Sequence, residues 1–123
     1  MRQAPASSNG NLGPATADVL RQPDGTVVVA VVGEFDMVTS PALDQALGEA
    51  VGTADGPVVV DLADCTFVDS SALGALVRAA QRLEQLGRAL RIRNPRPHVR
   101  RAIDATGLER LLGLEDTAQP ASR

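Results

Sequence analysis

Asp69-Ser70-Ser71 stands directly before Leu73, Leu76, Val77, Ala80 and Leu83, apolar residues at helical spacing. An oxygen at that position has two uses. It can accept from the first backbone N–H groups of the helix, which have no intrahelical partner. A serine in that turn can also carry a phosphate, because the same N–H groups and the helix dipole favour an anion. Position leaves both open for Ser70 and Ser71, with Asp69 as a competing cap. Asp36 poses the same question, following one apolar run and preceding another. By position it reads as a carboxylate that closes a turn, on a loop expected near the Ser71 end of the sheet. Thr39 and Ser40 read as ordinary cap residues.

Enzyme chemistry finds little support elsewhere. Cys65 and His98 would supply a nucleophile and a base, but no third residue is spaced to orient them. One Cys and one His cannot build a zinc site, and no GxxxxGK[ST] loop is present. No catalytic residue, cofactor or metal is therefore assigned. Two Phe with no Trp or Tyr leave no stacking platform for single-stranded nucleic acid or sugar. A net charge of −3 argues against broad nucleic-acid binding. All 12 basic residues are Arg, and from this no function is drawn. Six of them, Arg88, Arg91, Arg93, Arg96, Arg100 and Arg101, make a basic run that reads first as a solvated face, with a contact to an acidic partner surface or anionic lipid as the alternative.

These residues need a scaffold. With 44% hydrophobic residues in 123, the chain is expected to form one globular domain over 15–115. Residues 1–14 and 116–123 are expected to be flexible tails. A strand over Ala15–Arg21 turns at Gln22-Pro23-Asp24-Gly25 into a second strand, Thr26–Val32, buried on both faces and closed by Gly33. Ser40-Pro41 predicts a helix start with Ser40 as N-cap; Leu43, Ala46, Leu47, Ala50 and Val51 form its inner face. A strand over Pro57–Leu62 follows, then a connector with Cys65 and Phe67, then the helix that opens near Ser70 or Ser71 and stops at Gly87. Ala89–Arg93 alternates as a half-buried strand. Asn94-Pro95-Arg96-Pro97 leads into a third helix with Val99, Ala102 and Ile103 inward, ending near Gly107. Leu108–Leu114 reads as either a short helix or a last strand. The expected fold is α/β, a mixed sheet of about four to five strands covered by about three to four helices. A single cysteine, no signal peptide and no long apolar run make a cytoplasmic location, without membrane insertion, the expectation.

Three ordered segments carry a resemblance. Val58–Leu62 followed by Phe67-Val68-Asp69-Ser70-Ser71-Ala72-Leu73-Gly74 resembles the phosphorylation-site region of STAS domains, and more narrowly of bacterial anti-sigma factor antagonists. Gly33-Glu34-Phe35-Asp36 with Thr39-Ser40-Pro41, and Asn94-Pro95 through Thr106-Gly107-Leu108, are similar to two further family segments. Ala72 departs from the family's usual Gly. The resemblance implies a non-catalytic STAS-type domain phosphorylated at Ser71, which leaves Ser70 as the structural cap of the helix, with Asp36, Asp69, Ser70, Ser71, Ala72, Leu73 and Gly74 at the partner contact. The implied partners are an anti-sigma factor serine kinase of histidine-kinase-like ATPase fold and a PP2C-type phosphatase. The unphosphorylated form would hold the kinase and release a sigma factor. The alternative is a STAS subunit of a membrane transport or lipid-trafficking assembly; a stand-alone enzyme is disfavoured by the absent catalytic set.

Overall fold

Proline and glycine make the first reversal of the chain. The computed structural model describes residues 15–53 and 55–107, and within it Gln22-Pro23-Asp24-Gly25 joins β1 (Thr16–Arg21) to β2 (Val27–Phe35). The Gly25 N–H donates to the Gln22 carbonyl at 3.0 Å, and Asp24 Oδ1 accepts from the Thr26 N–H at 2.9 Å. Gly25 takes φ +93°, open to a residue without a β-carbon. The two strands pair antiparallel from Arg21↔Val27 to Thr16↔Val32.

From β2 the chain passes through α1 (Ser40–Thr53) to β3 (Val58–Val68), then through α2 (Ser70–Gln85) to β4 (Leu90–Arg93), and ends in α3 (Pro97–Ala105). Both crossovers produce parallel pairs, β2 with β3 and β3 with β4, so the sheet order is β1-β2-β3-β4. Among the described residues this is the expected mixed sheet, with four strands and three helices. Leu108–Leu114 and both predicted tails lie outside the described residues.

The core forms where the sheet meets the helices. Val27, Val29, Val31 and Phe35 of β2 and Val58, Val60 and Leu62 of β3 face Leu43 and Leu47 of α1 and Leu73, Leu76 and Leu83 of α2. Ala72, Ala75 and Ala79 of α2 are also buried, while Val77 is only half-buried. The contact face of α2 is thus rotated toward its alanines, which let helices approach closely. The expectation that β2 is buried on both faces holds for Val28 but not for Val32, which is exposed.

β2 does not close at Gly33 but continues to Phe35, and β3 does not end at Leu62 but continues to Val68. The added stretch carries two register shifts, between Ala30 and Val32 and between Gly33 and Glu34, and Gly33 takes φ +100°. At each shift β3 has one residue more than β2. The bulges restart inward pointing every third residue, so Leu62, Cys65 and Val68 are buried while Ala63, Asp64, Thr66 and Phe67 are exposed.

β4 accompanies β3 only from Val58 to Asp61. Beyond that, α3 takes over: Arg96 Nε donates to the Ala63 carbonyl at 2.9 Å, and His98 Nε2 hydrogen-bonds the Thr66 carbonyl. α2 ends in a Schellman turn, with Arg88 N–H on the Leu83 carbonyl at 2.8 Å, Gly87 N–H on Glu84 at 3.0 Å, and Gly87 at φ +72°. Arg88 does not lie on a solvated face. Its Nε and Nη1 donate to the carbonyls of Gly56 and Val51, each at 3.0 Å, where the C-terminal turn of α1 leaves carbonyls unpaired and attracts a cation.

Candidate functional site

β2 and β3 end side by side. Phe35 pairs with Val68, and the Asp69 N–H donates to the Phe35 carbonyl at 3.0 Å. The residues that follow, Asp36 and Asp69, therefore leave the sheet at the same edge, the carboxyl ends of its parallel strands. In open α/β sheets that edge is where binding sites form.

Asp69 caps α2. Its backbone is extended, at φ −105° and ψ −171°, and Oδ1 accepts from the Ser71 N–H at 2.9 Å and the Ala72 N–H at 3.1 Å. The first helical bond runs from the Leu73 N–H to the Asp69 carbonyl at 2.9 Å. Ser70 is therefore not the cap but the first helical residue. A carboxylate accepts more strongly than a hydroxyl and adds a favourable charge at a helix start.

Asp36 does the same work before α1. Oδ1 accepts from the N–H groups of Val38 and Thr39 at 2.9 and 3.1 Å. Thr39 Oγ1 accepts from the Asp36 N–H at 2.9 Å and is 3.1 Å from both the Glu34 carbonyl and Asp36 Oδ1, either of which can accept its proton. This reciprocal pair is a capping box. The Ser40 N–H already donates to the Asp36 carbonyl at 2.7 Å, and Ser40 is buried. The expected Ser40 cap is thus displaced to Asp36, one turn earlier. The Thr39 N–H, then its hydroxyl, then the Val38 N–H hold the Asp36 carboxyl below its ordinary value.

With both caps supplied by aspartate, the serine hydroxyls are released from structural duty. Ser70 is exposed and Ser71 half-buried, and neither hydroxyl is tied into the cap. Of the other residues expected at the contact, Asp36 is exposed, Asp69 and Gly74 are half-buried, and Ala72 and Leu73 turn into the core. Those last two shape the helix start from beneath and present no side chain to a partner.

Three exposed apolar side chains were missed from the sequence. Met37 and Val38, in the turn that Asp36 caps, are 72% and 81% exposed, and Phe67, one residue before the end of β3, is 45% exposed. Large side chains left in water at the binding edge of a sheet are candidate contact residues. The signal for Met37 and Val38 was their apolar character inside a capped turn, where polar residues are usual.

Cys65 is enclosed in the core, where burial pushes its thiol up, while exposed His98 is engaged by Thr66. A raised thiol inside the core does not supply a nucleophile. Among the described residues no group of His, Cys, Asp or Glu could hold a metal ion, and no helix is long and apolar enough to cross a membrane.

A STAS domain profile described as "Mlab, STAS domain" matches residues 19–113. The anti-sigma-F factor antagonist RsfB of Mycobacterium tuberculosis is 32% identical over 62 residues, which is 50% of this chain and 51% of RsfB; the match thus spans about half of that relative's length. An anti-sigma-B factor antagonist of Staphylococcus epidermidis is 32% identical over 72% of this chain and 82% of its own. The crystal structure of an anti-sigma factor antagonist from Mycobacterium paratuberculosis superposes with a TM-score of 0.75 at 35% identity, covering 84% of this chain and 86% of that one. The chain belongs to the STAS domain family, and these relatives are anti-sigma factor antagonists.

Proposed function

We propose that this chain is itself an anti-sigma factor antagonist, a non-catalytic cytoplasmic switch controlled by phosphate on Ser71. The observation that carries the reading is the division of labour at α2: Asp69 makes the cap, and the half-exposed Ser71 hydroxyl is left out of it. The relatives' names supply the kind of partner. In the unphosphorylated state the carboxyl edge of the sheet, with Ser70, Ser71, Met37, Val38 and Phe67, docks on an anti-sigma factor of histidine-kinase-like ATPase fold, and a sigma factor is released. That kinase transfers the γ-phosphoryl group of ATP to Ser71 Oγ, with loss of the hydroxyl proton and departure of ADP. A PP2C-type phosphatase hydrolyses the ester and resets the switch.

Phosphate adds about −1.5 to −2 charges at pH 7. Left unpaired in a desolvated contact, a charge costs about 3–5 kcal/mol. At about 1.4 kcal/mol per tenfold, that weakens the complex by roughly 10²-fold to a few thousandfold. The fold survives because Ser71 lies at a helix start and outside the core.

The test is incubation with ATP and the ATPase recovered from the native host, read by mass spectrometry. One phosphate is expected, lost in Ser71→Ala and kept in Ser70→Ala; Ser71→Asp is expected to weaken the complex while leaving the circular dichroism unchanged. A phosphate that persists in Ser71→Ala, or an unchanged affinity in Ser71→Asp, refutes the reading. Stable association with transport or lipid-trafficking components, with no phosphate under any condition, identifies the domain as a subunit of such an assembly instead.

A further inference from the structure

A phosphate on Ser71 meets a difficulty at this helix start. The Ser71 and Ala72 N–H groups already serve Asp69, whose carboxylate stands beside the phosphate. Asp36 leaves the sheet at the same edge. A cation on the face of α2 that carries Ser71 would offset this negative charge, and Arg78 is so placed. Seven residues turn an α-helix through about 700°, within about 20° of two full turns, so Arg78 lies in line with Ser71. Helical side chains lean toward the N-terminus, which aims Arg78 back along that line.

Gly74 lets it lie down. Arg78 Nη1 is 3.2 Å from the point where a β-carbon on Gly74 would stand, so the guanidinium rests over the bare turn between the two residues. β-Carbon positions three apart on a helix are about 5–6 Å from each other, and the guanidinium is therefore within reach of a phosphate on Ser71. In the unphosphorylated chain Arg78 Nη2 donates to both Asp44 oxygens of α1, at 3.1 and 2.9 Å. The two side chains are 59% and 46% exposed. Exposed pairs of this kind contribute little, whereas a phosphate dianion offers a guanidinium more charge and a bidentate geometry.

We propose that Arg78 is the internal counter-charge for phosphoserine at position 71, exchanging Asp44 for the phosphate when the site is modified. The inference rests on the reading of Ser71 as the phosphosite. It assigns Arg78 a positioning role: the phosphate is held along α2, and Asp44 is bared on α1.

Phosphoserine placed at position 71 by an expanded genetic code tests this without any kinase. The readout is the second ionisation of the phosphate, followed by ³¹P NMR at low salt. Free phosphoserine loses that proton near pH 6, and a neighbouring guanidinium lowers the value. The wild-type chain is expected to titrate about half a unit or more below Arg78→Gln, roughly a threefold change in proton affinity. Arg78→Lys is expected to fall between the two, and the gap to shrink in high salt. Coincident titrations of wild type and Arg78→Gln overturn the proposal. Should Arg78→Gln fail to fold, coincidence of wild type with Arg78→Lys, or a low value unmoved by salt, overturns it instead. Because the phosphate is installed, this result is independent of whether any kinase modifies Ser71, which the mass-spectrometric assay decides separately.

Discussion

Replacing Asp69 with alanine removes the side-chain oxygen that holds the first turn of α2, and the structure sets the scale of the loss. Two N–H groups, of Ser71 and Ala72, lose an acceptor at 2.9 and 3.1 Å. Aspartate-to-alanine changes at helix caps cost about 1 kcal/mol and up to about 2. Ser71 is only half-buried, so water replaces part of the lost bonding there, but Ala72 is fully buried and its N–H is harder to reach. A loss of about 1–2 kcal/mol is expected. For a domain of this size each kcal/mol lowers the melting temperature by about 4–8 °C. The assay is urea unfolding followed by circular dichroism, in which the midpoint falls and the slope stays constant. Asp69→Asn keeps an acceptor oxygen and is expected to recover most of the stability, whereas Ser70→Ala changes it by less than about 0.5 kcal/mol. If Ser70→Ala is as harmful as Asp69→Ala, or if Asp69→Ala is neutral, the assignment of the cap to Asp69 is wrong.

Two other substitutions probe the scaffold. Gly87→Ala places a β-carbon at φ +72° and is expected to cost about 1 kcal/mol in a thermal melt, whereas Gly52→Ala, in α1 with open space around it, is expected to be neutral or slightly stabilising. Equal effects would remove the turn from the account. In Asp36 the folded-state pKa lies below the ordinary 3.8. Its cap contributes stability that is fully present above the unfolded value and is lost as pH falls through the lower folded one. A carboxyl NMR titration should show Asp36 inflecting below a free aspartate and Thr39→Ala moving it part of the way back; an unmoved inflection excludes the hydroxyl as a cause.

Order and identity of the elements were legible because each had a local signal: β-branched runs for β2 and β3, spacings of three and four for α1 and α2, glycines at both reversals. What failed was long-range or competitive. The second half of β3 read as a connector because Leu62, Cys65 and Val68 recur every third residue, matching neither strand nor helix. Only pairing with β2, two residues shorter at 9 against 11, shows two bulges behind that spacing. Ser40-Pro41 is a fair cap signature, but Asp36-x-x-Thr39 is a stronger one by reciprocity, and both of its hydrogen bonds are made. Arg88 is indistinguishable from the solvated arginines in sequence, because its acceptors, Gly56 and Val51, lie more than thirty residues away. The resemblance to the STAS family pointed to the start of α2, but family likeness says nothing about Met37, Val38 or Arg78, which are properties of this chain.

The caps bear on how such a switch divides its energy. Had serine capped α2, a phosphate on that serine would remove the helix's own first-turn acceptor, and modification would act on folding as much as on docking. Here the cap is Asp69, which a phosphate on Ser71 leaves in place. The same carboxylate occupies the backbone donors that could have neutralised such an anion, so on the proposed reading its charge would be left to Arg78 and to water. The unfavourable free energy would then be expressed when a partner tries to exclude water from the carboxyl edge of the sheet. On the proposed reading, an aspartate cap beside a serine would separate stability from signalling, and Arg78, by meeting part of the charge from two turns away, would set how strongly the signal is felt.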